Sequence, residues 1–247
     1  MNKISNYIRS YNGGSFLKRL VFILAALLVM NFGIACYYQC ALGTDPFSVF
    51  VDGEHSIMHK TYGQVTNINN IFLFAFMLIF ARKYIHVGSV LGVILSGSLI
   101  DLFNMLISTY FPGDVLWKQI LLLVVGLITF AVGVGMFICA NMGVSALEAI
   151  PLVIGEKTTI NLRWLRVIED LFFMCVGIGL GVFAGRQVFS LQIDNANPPM
   201  IGLGTLVGAF GTGPIMKWFM NVAGESLEKW FGPLRKTSPA PEASTEG

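Results

Sequence analysis

The sequence predicts an all-α membrane protein. It reads as a polytopic bundle of six transmembrane helices in two inverted three-helix repeats, each repeat with a short interrupted or re-entrant helix. Three observations carry that prediction. Of the 247 residues, 55% are hydrophobic and only 12% charged, against about 25% charged in a soluble domain. Six apolar runs approach the roughly 20 residues that a helix needs to cross a bilayer. Two unusual stretches, "QCALGTDPFSVFVDG" from Gln39 and "ANMGVSALEAIPLVIGE" from Ala140, align with a shift of 100 residues when Gly43 is placed on Gly143.

The first run, about Leu20 to Cys40, follows Lys18 and Arg19 and so mimics a secretory signal. Ala35-Cys36 looks like a lipoprotein cleavage site, but Gly33 stands where Leu is expected and the apolar run continues past the cysteine. We read it as a retained first span. Pro46 to Met58 is apolar but too short to cross. The second, third and fourth spans are Gly63 to Phe80, Val87 to Ser108 and Trp117 to Ala140. Ala146 to Ile154 is again too short, and Trp164 to Ala184 and Ile201 to Val222 are the fifth and sixth spans. The membrane domain therefore covers residues 20–222, with repeat one at 20–110 and repeat two at 115–222. Residues 1–19 form a cytoplasmic N-terminal segment, and 223–247 a cytoplasmic tail whose small, polar, Pro-containing end predicts partial disorder.

Lys and Arg set the orientation. With a cytoplasmic N-terminus, thirteen of the sixteen lie at or near the inner side, and only Lys60, Lys118 and Arg186 lie outside. Both termini are then cytoplasmic, in the inner membrane of a bacterial cell. The formal net charge of +2 gives no reason to expect nucleic acid. The partners expected are the lipid bilayer and a small polar solute. Glycines four apart, at 88 and 92, at 177, 181 and 185, and at 204 and 208, suit close helix contact. They fit packing within the chain, a homodimer or a membrane partner protein, and internal packing is the expectation.

In the repeat, Gly33 pairs with Gly133, "ALGTDPFSVF" with "NMGVSALEAI", and Asn70 with Asp170. At a shift of 116, "GSVLGVILSG" from Gly88 matches "GTLVGAFGTG" from Gly204. Three spans repeat as three, and because three is odd the second copy enters from the opposite side, as in many transporters. Asp45 suits an N-cap and Pro46 the first helical turn. In the second copy Ser145 takes the cap, with Glu148 at capping-box spacing. The short helices after Gly43 and Gly143 either lie flat on the surface or dip inward. Re-entrant backbone is tolerated only where protein or a water-filled cavity satisfies it. Dipping inward from opposite faces, the two helices would present free N–H groups to an anionic group, although Asp45 already occupies one such end.

"GTDPFSVF" after an apolar first span, the glycine of "KTYGQVTNINN", and glycine-rich third and sixth spans resemble the YczE/YyaS/YitT group of bacterial integral membrane proteins. The likeness runs from about Leu20 to Val222, although the second copy has Ser145-Ala146 where the first has Asp-Pro. The resemblance implies a bacterial inner-membrane protein and supplies no catalytic residues.

Charges within spans are expensive and mark function by default. Asp101 lies in the third span, Glu169 and Asp170 in the fifth and Lys217 in the sixth. Lys217 is close enough to the inner surface to snorkel. Asp101 has no such escape and no evident partner, and is a candidate solute-binding or titrating group. Asn67 and Asn70 share one face of the second span, and Arg166, Glu169 and Asp170 lie within one turn on the fifth. These six residues are the candidate substrate site. Gly43, Asp45, Pro46, Gly143, Ser145 and Glu148 are the candidate half-helix caps. The competing reading of the amides and carboxylates is helix–helix fastening. His55 and His59, with Asp52 and Glu54 beside them, have metal-ligand spacing, but are read as lining the outer face of a short helix. No metal or other cofactor is expected.

An enzyme is the weakest class. The spans hold no His, and "GVSALEA" lacks the second glycine of a nucleophile elbow. A secondary transporter of a small polar solute fits best. The alternative is a substrate-capture or accessory protein that does not transport alone.

Overall fold

The computed structural model describes residues 13–158, 160, 162–189 and 199–232. Among the described residues are eight α-helices: α1 Gly13–Gln39, α2 Pro46–Met58, α3 Tyr62–Phe80, α4 Val87–Tyr110, α5 Leu116–Ala140, α6 Ala149–Lys157, α7 Leu162–Phe183 and α8 Leu203–Phe231. One 3-10 turn, Arg82–Tyr84, joins α3 to α4. The all-α class is as expected, and the spans begin and end within a few residues of the apolar runs at most boundaries. Four helices, α1, α3, α4 and α5, are long and apolar enough to cross a membrane, so the protein is multi-pass. α7 and α8 have the length, but α7 carries Arg166, Glu169 and Asp170, and α8 carries Lys217, Glu225, Glu228 and Lys229. Large apolar side chains stand outward on spans and on these two helices alike, among them Phe72, Ile79, Phe183 and Phe210.

Three boundaries differ from the sequence reading. α1 starts at Gly13, a full turn or more ahead of Leu20. α8 runs on to Phe231 and does not stop at Val222. The extension is held by tertiary contact: Phe231 is buried against Phe22, and the Arg19 guanidinium lies 4.6 Å from its ring centre. α6 starts at Ala149, later than Ala146. Residues 1–12 and 233–247 lie outside the described residues, and with them most of the N-terminal segment and of the polar tail.

α1 and α5 cross at the centre, where no side chain separates their backbones. A Cβ on Gly33 would sit 2.4 Å from the backbone nitrogen of Phe130, and one on Gly133 2.5 Å from that of Met30. The same exchange recurs elsewhere. The Gly88 amide donates to the Met142 carbonyl at 2.9 Å, and the Gly204 amide to the Leu42 carbonyl at 2.8 Å. Backbone reverses at Gly43 with φ +92° and at Gly143 with φ +119°, a region open to glycine at little cost. The residues two positions earlier, Ala41 and Asn141, are also left-handed, at φ 56° and 51°.

Each short helix packs on a long helix of the other half. Phe47 and Phe50 of α2 meet Phe173, midway along α7, with ring centres 5.2 Å apart in each case. Ala149 and Val153 of α6, with Ala146 just before it, cluster with Met77 and Ala81 at the end of α3. At one end of the bundle the start of α1 meets the ends of α5 and α8. There Arg19 donates to the Ala140 carbonyl at 2.8 Å and Lys18 to the Trp230 carbonyl at 3.0 Å.

Candidate functional site

The first turn of α2 and the turn that leads into α6 meet at one cavity of about 370 Å³. Asp45, Pro46, Phe47 and Ser48 line it from one side, and Ser145, Ala146, Leu147 and Glu148 from the other. Between them stand the middles of α1 and α5, one face of α4 and part of α8. α3 contributes Thr66 and Asn70, and α7 contributes Arg166, Glu169 and Asp170.

The α2 end is built as its sequence dictates. Asp45 is extended, at φ −63° and ψ 162°, and its carboxylate accepts from the Ser48 amide at 3.2 Å. Such a cap stabilises a helix by about 1 kcal/mol. Pro46 occupies the first helical turn, where its missing N–H costs nothing.

The α6 end is not built as expected, because the capping box of Ser145 and Glu148 does not form. Ser145 accepts through its backbone carbonyl, from the Ala149 amide at 3.2 Å. Glu148 is helical in conformation and makes no side-chain cap. Its carboxylate takes the Arg166 guanidinium at 2.7 Å instead. The bond from the Arg166 guanidinium, which is charged, takes the carboxylate that the box would have used. A capping box does form at α3, where Thr61 accepts from the Gln64 amide and Gln64 from the Thr61 amide, each at 3.2 Å.

Of the twelve residues singled out from the sequence, eight line this cavity: Asn70, Arg166, Glu169, Asp170, Asp45, Pro46, Ser145 and Glu148. Gly43 and Gly143 lie behind it at the two chain reversals, against Gly202 and against His86 and Ser89. Asn67 and Asp101 are placed elsewhere. Asn67 accepts from the Gly97 amide at 3.0 Å. Asp101, expected to lack a partner, has two: the Thr61 hydroxyl at 2.5 Å and the Gly63 amide at 2.8 Å. It ties the start of α3 to α4. Residues distant in sequence supply these donors, which is why no local pattern showed them.

The structure adds polar lining that the sequence reading passed over, chiefly Asn31, Thr66, Ser89, Ser96 and Thr212. Asn31 is fully buried. Its amide donates to the Leu27 carbonyl at 2.7 Å, while its Oδ1 has no partner. Its signal was a lone amide in the run "LLVMNFGIA". The Glu169 carboxylate also has one buried oxygen without a partner.

A second cavity of about 410 Å³ lies against the last turn of α1, lined by Tyr37, Tyr38, Asp52, Asp114, Arg186 and Met200 among others. Across it Arg186 donates to the buried Asp52 carboxylate at 3.2 Å, joining α2 to the chain after α7. The histidines near it serve the protein's own packing. His55 bonds the Lys60 carbonyl at 2.5 Å and faces the Tyr38 hydroxyl at 3.3 Å, and His59 ends α2 in a left-handed conformation.

Comparison with known proteins follows the helical part of the chain. A family model described as a family of unknown function, DUF6198, matches residues 17–221. The "Uncharacterized membrane protein YczE" of Bacillus subtilis (strain 168) is 27% identical over 204 residues, which are 81% of this chain and 84% of that protein. The "Uncharacterized protein YyaS" of the same organism is 20% identical over 196 residues, 79% of this chain and 89% of that one. No solved structure matches.

Proposed function

Because this chain belongs to the DUF6198 family of membrane proteins, and because both of its short helices open on one polar cavity, we propose that it is a secondary transporter of a small polar solute rather than an enzyme. The cavity is the solute site. The observation that carries the reading is the meeting there of the stretches at 45–48 and 145–148, which the repeat makes equivalent. A helix that lay flat on the surface would not bring its first turn to the middle of α1 and α5.

We further propose six spans in two inverted repeats, with α2 and α6 re-entrant from opposite faces. The paired contacts support it. Gly33 on Phe130 answers Gly133 on Met30, and the amides of Gly88 and Gly204 reach Met142 and Leu42. Each member of a pair follows from the other by the shifts of 100 and 116, as a pseudo-twofold axis in the membrane plane requires. Lys18 beside Trp230 puts the start of α1 and the end of α8 on one side. With the Lys and Arg distribution this supports cytoplasmic termini in a bacterial cell membrane. The helices α1 and α5 touch through glycine backbone; alternating access would require such contacts to shift.

Two measurements test the reading. A ligand screen by thermal stability on purified protein, followed by uptake into proteoliposomes, tests transport. Saturable binding without uptake makes the protein a capture subunit. Asn70→Ala and Asp170→Ala test the site. As solute contacts they abolish the ligand-induced rise in melting temperature and leave intrinsic stability nearly unchanged. As helix fastenings they keep the ligand shift and lose about 0.6 kcal/mol per hydrogen bond. That second outcome removes the cavity from the mechanism.

A further inference from the structure

The polar lining of the central cavity is unbalanced, and the imbalance names a ligand class. Its charged residues are four carboxylates, Asp45, Glu148, Glu169 and Asp170, and one cation, Arg166. The cation is paired with Glu148 at 2.7 Å. Asp45 is engaged as a cap. Glu169 and Asp170 remain, and one oxygen of Glu169 is buried and without a partner.

Four of the neutral groups lean the same way. A hydroxyl has one proton to give and two lone pairs to receive. Thr66 spends its proton on the Tyr62 carbonyl at 2.9 Å, Ser89 on Val144 at 2.6 Å and Thr212 on Gly208 at 2.7 Å. What these three can still offer a guest is lone pairs. Asn31 is fully buried, and one of its two amide protons goes to the Leu27 carbonyl, which fixes which end of the side chain is oxygen. That oxygen is left with no donor. Leaving a buried acceptor unmet costs about 1–3 kcal/mol, a cost that a bound donor removes. Ser48, Asn70, Ser96 and Ser145 complete the polar lining, and the other walls are largely apolar: Leu27, Met30, Ile34, Phe47, Phe130 and Phe137 among others.

We infer that the cavity takes an organic ammonium ion bearing N–H groups and an apolar body. The ammonium is held by Glu169, Asp170 and the free oxygen of Asn31, and the body lies among the aromatic and aliphatic side chains. Such an ion supplies the positive charge that the lining lacks and a donor for the unmet oxygens of Asn31 and Glu169. The inference rests on the cavity being the solute site.

The test is titration calorimetry of the full chain in detergent micelles, with protein-free micelles as the blank. The probes are primary ammonium ions from ethylammonium to 2-phenylethylammonium, trimethyl(2-phenylethyl)ammonium, 3-phenylpropionate and 3-phenylpropanol. Primary ammonium ions bind saturably, and more tightly as the body grows. The trimethyl ion, with no N–H to give, binds about tenfold more weakly or worse. The carboxylate does not bind. Glu169→Gln and Asn31→Leu each weaken 2-phenylethylammonium by about tenfold or more. Asn31→Leu removes an unmet buried acceptor, so its melting temperature without ligand does not fall, and loss of binding there is not loss of fold. The inference is overturned if no primary ammonium ion binds saturably. It is equally overturned if the trimethyl ion binds as tightly, or if both substitutions leave affinity unchanged. If 3-phenylpropionate or 3-phenylpropanol binds and Asp170→Ala abolishes it, the ammonium class fails while the cavity stands as the solute site.

Discussion

Replacing Gly33 with alanine places one methyl group between α1 and α5. The new Cβ would lie 2.4 Å from the backbone nitrogen of Phe130 and 2.7 Å from its Cα. Ordinary van der Waals contact begins at 3.4 Å, so the helices must part by about 1 Å at the crossing. The obstruction is backbone and cannot rotate aside. Overpacking of this kind costs about 1–3 kcal/mol. Replacing a helical glycine returns up to about 1 kcal/mol of propensity, which leaves a net loss of up to about 2 kcal/mol against the parent and about 1–3 kcal/mol against a glycine-to-alanine change without a clash. Gly92→Ala is the control, because the nearest atom to its Cβ is the flexible tip of Leu27 at 3.9 Å. That variant keeps the propensity gain and does not lose stability. Thermal denaturation of purified protein in detergent separates the two, at about 2–4 °C per kcal/mol for a chain of this size. Gly133→Ala meets Met30 at 2.5 Å across the same gap. The double variant therefore loses less than the sum of the single losses, since one separation relieves both clashes. If Gly33→Ala is as stable as the parent and Gly92→Ala, the close crossing of α1 and α5 is wrong.

Three other substitutions separate structural from functional roles. Asp101→Asn strands one of two donors, Thr61 or Gly63, and lowers stability by about 1–3 kcal/mol while leaving ligand affinity unchanged. A changed affinity at unchanged stability would return Asp101 to the solute site. Arg19→Met exposes the Ala140 carbonyl and the Phe231 ring to no partner, and costs about 2 kcal/mol in the same assay. Fraying of residues after Val222 in that variant, seen by hydrogen exchange, accompanies the loss. At the bundle end, Lys83 and Tyr84 donate to Glu156 and hold its carboxyl below the usual glutamate range. A depressed folded-state value stabilises above the ordinary glutamate pKa and is lost as pH falls through the lowered one. The melting temperatures of parent and Lys83→Met therefore differ slightly at neutral pH and converge in acid. A gap that persists at low pH refutes the pairing.

The readable part of the candidate site was its punctuation. Asp45 and Pro46 between two apolar runs announce a helix start whatever surrounds them, since a cap and a proline act within one turn. Arg166, Glu169 and Asp170 were legible because charge in an apolar helix demands an explanation. Asn31 and the hydroxyls of α4 and α8 were passed over, because a single small polar side chain in such a helix usually bonds its own backbone. Several of these do so, and only the cavity shows that they also have a free side. The capping box assigned to Ser145 failed because the competing partner of Glu148, Arg166, comes from another helix.

Composition, apolar run length and the position of glycine, proline and charge determined on their own that this chain is a multi-pass helical membrane protein, and where most of its helices lie. Those are local quantities: the length of a hydrophobic run against bilayer thickness, and the conformational cost of a residue within its own turn. Tertiary structure decided which polar groups are satisfied. It gave Asp101 two donors from the start of α3, gave Arg166 to Glu148, extended α8 to Phe231 through Phe22 and Arg19, and left Asn31 with an unmet oxygen. Each of these depends on which groups come within hydrogen-bond reach once the helices pack. That reach is a few ångströms in space and is unrelated to separation along the chain.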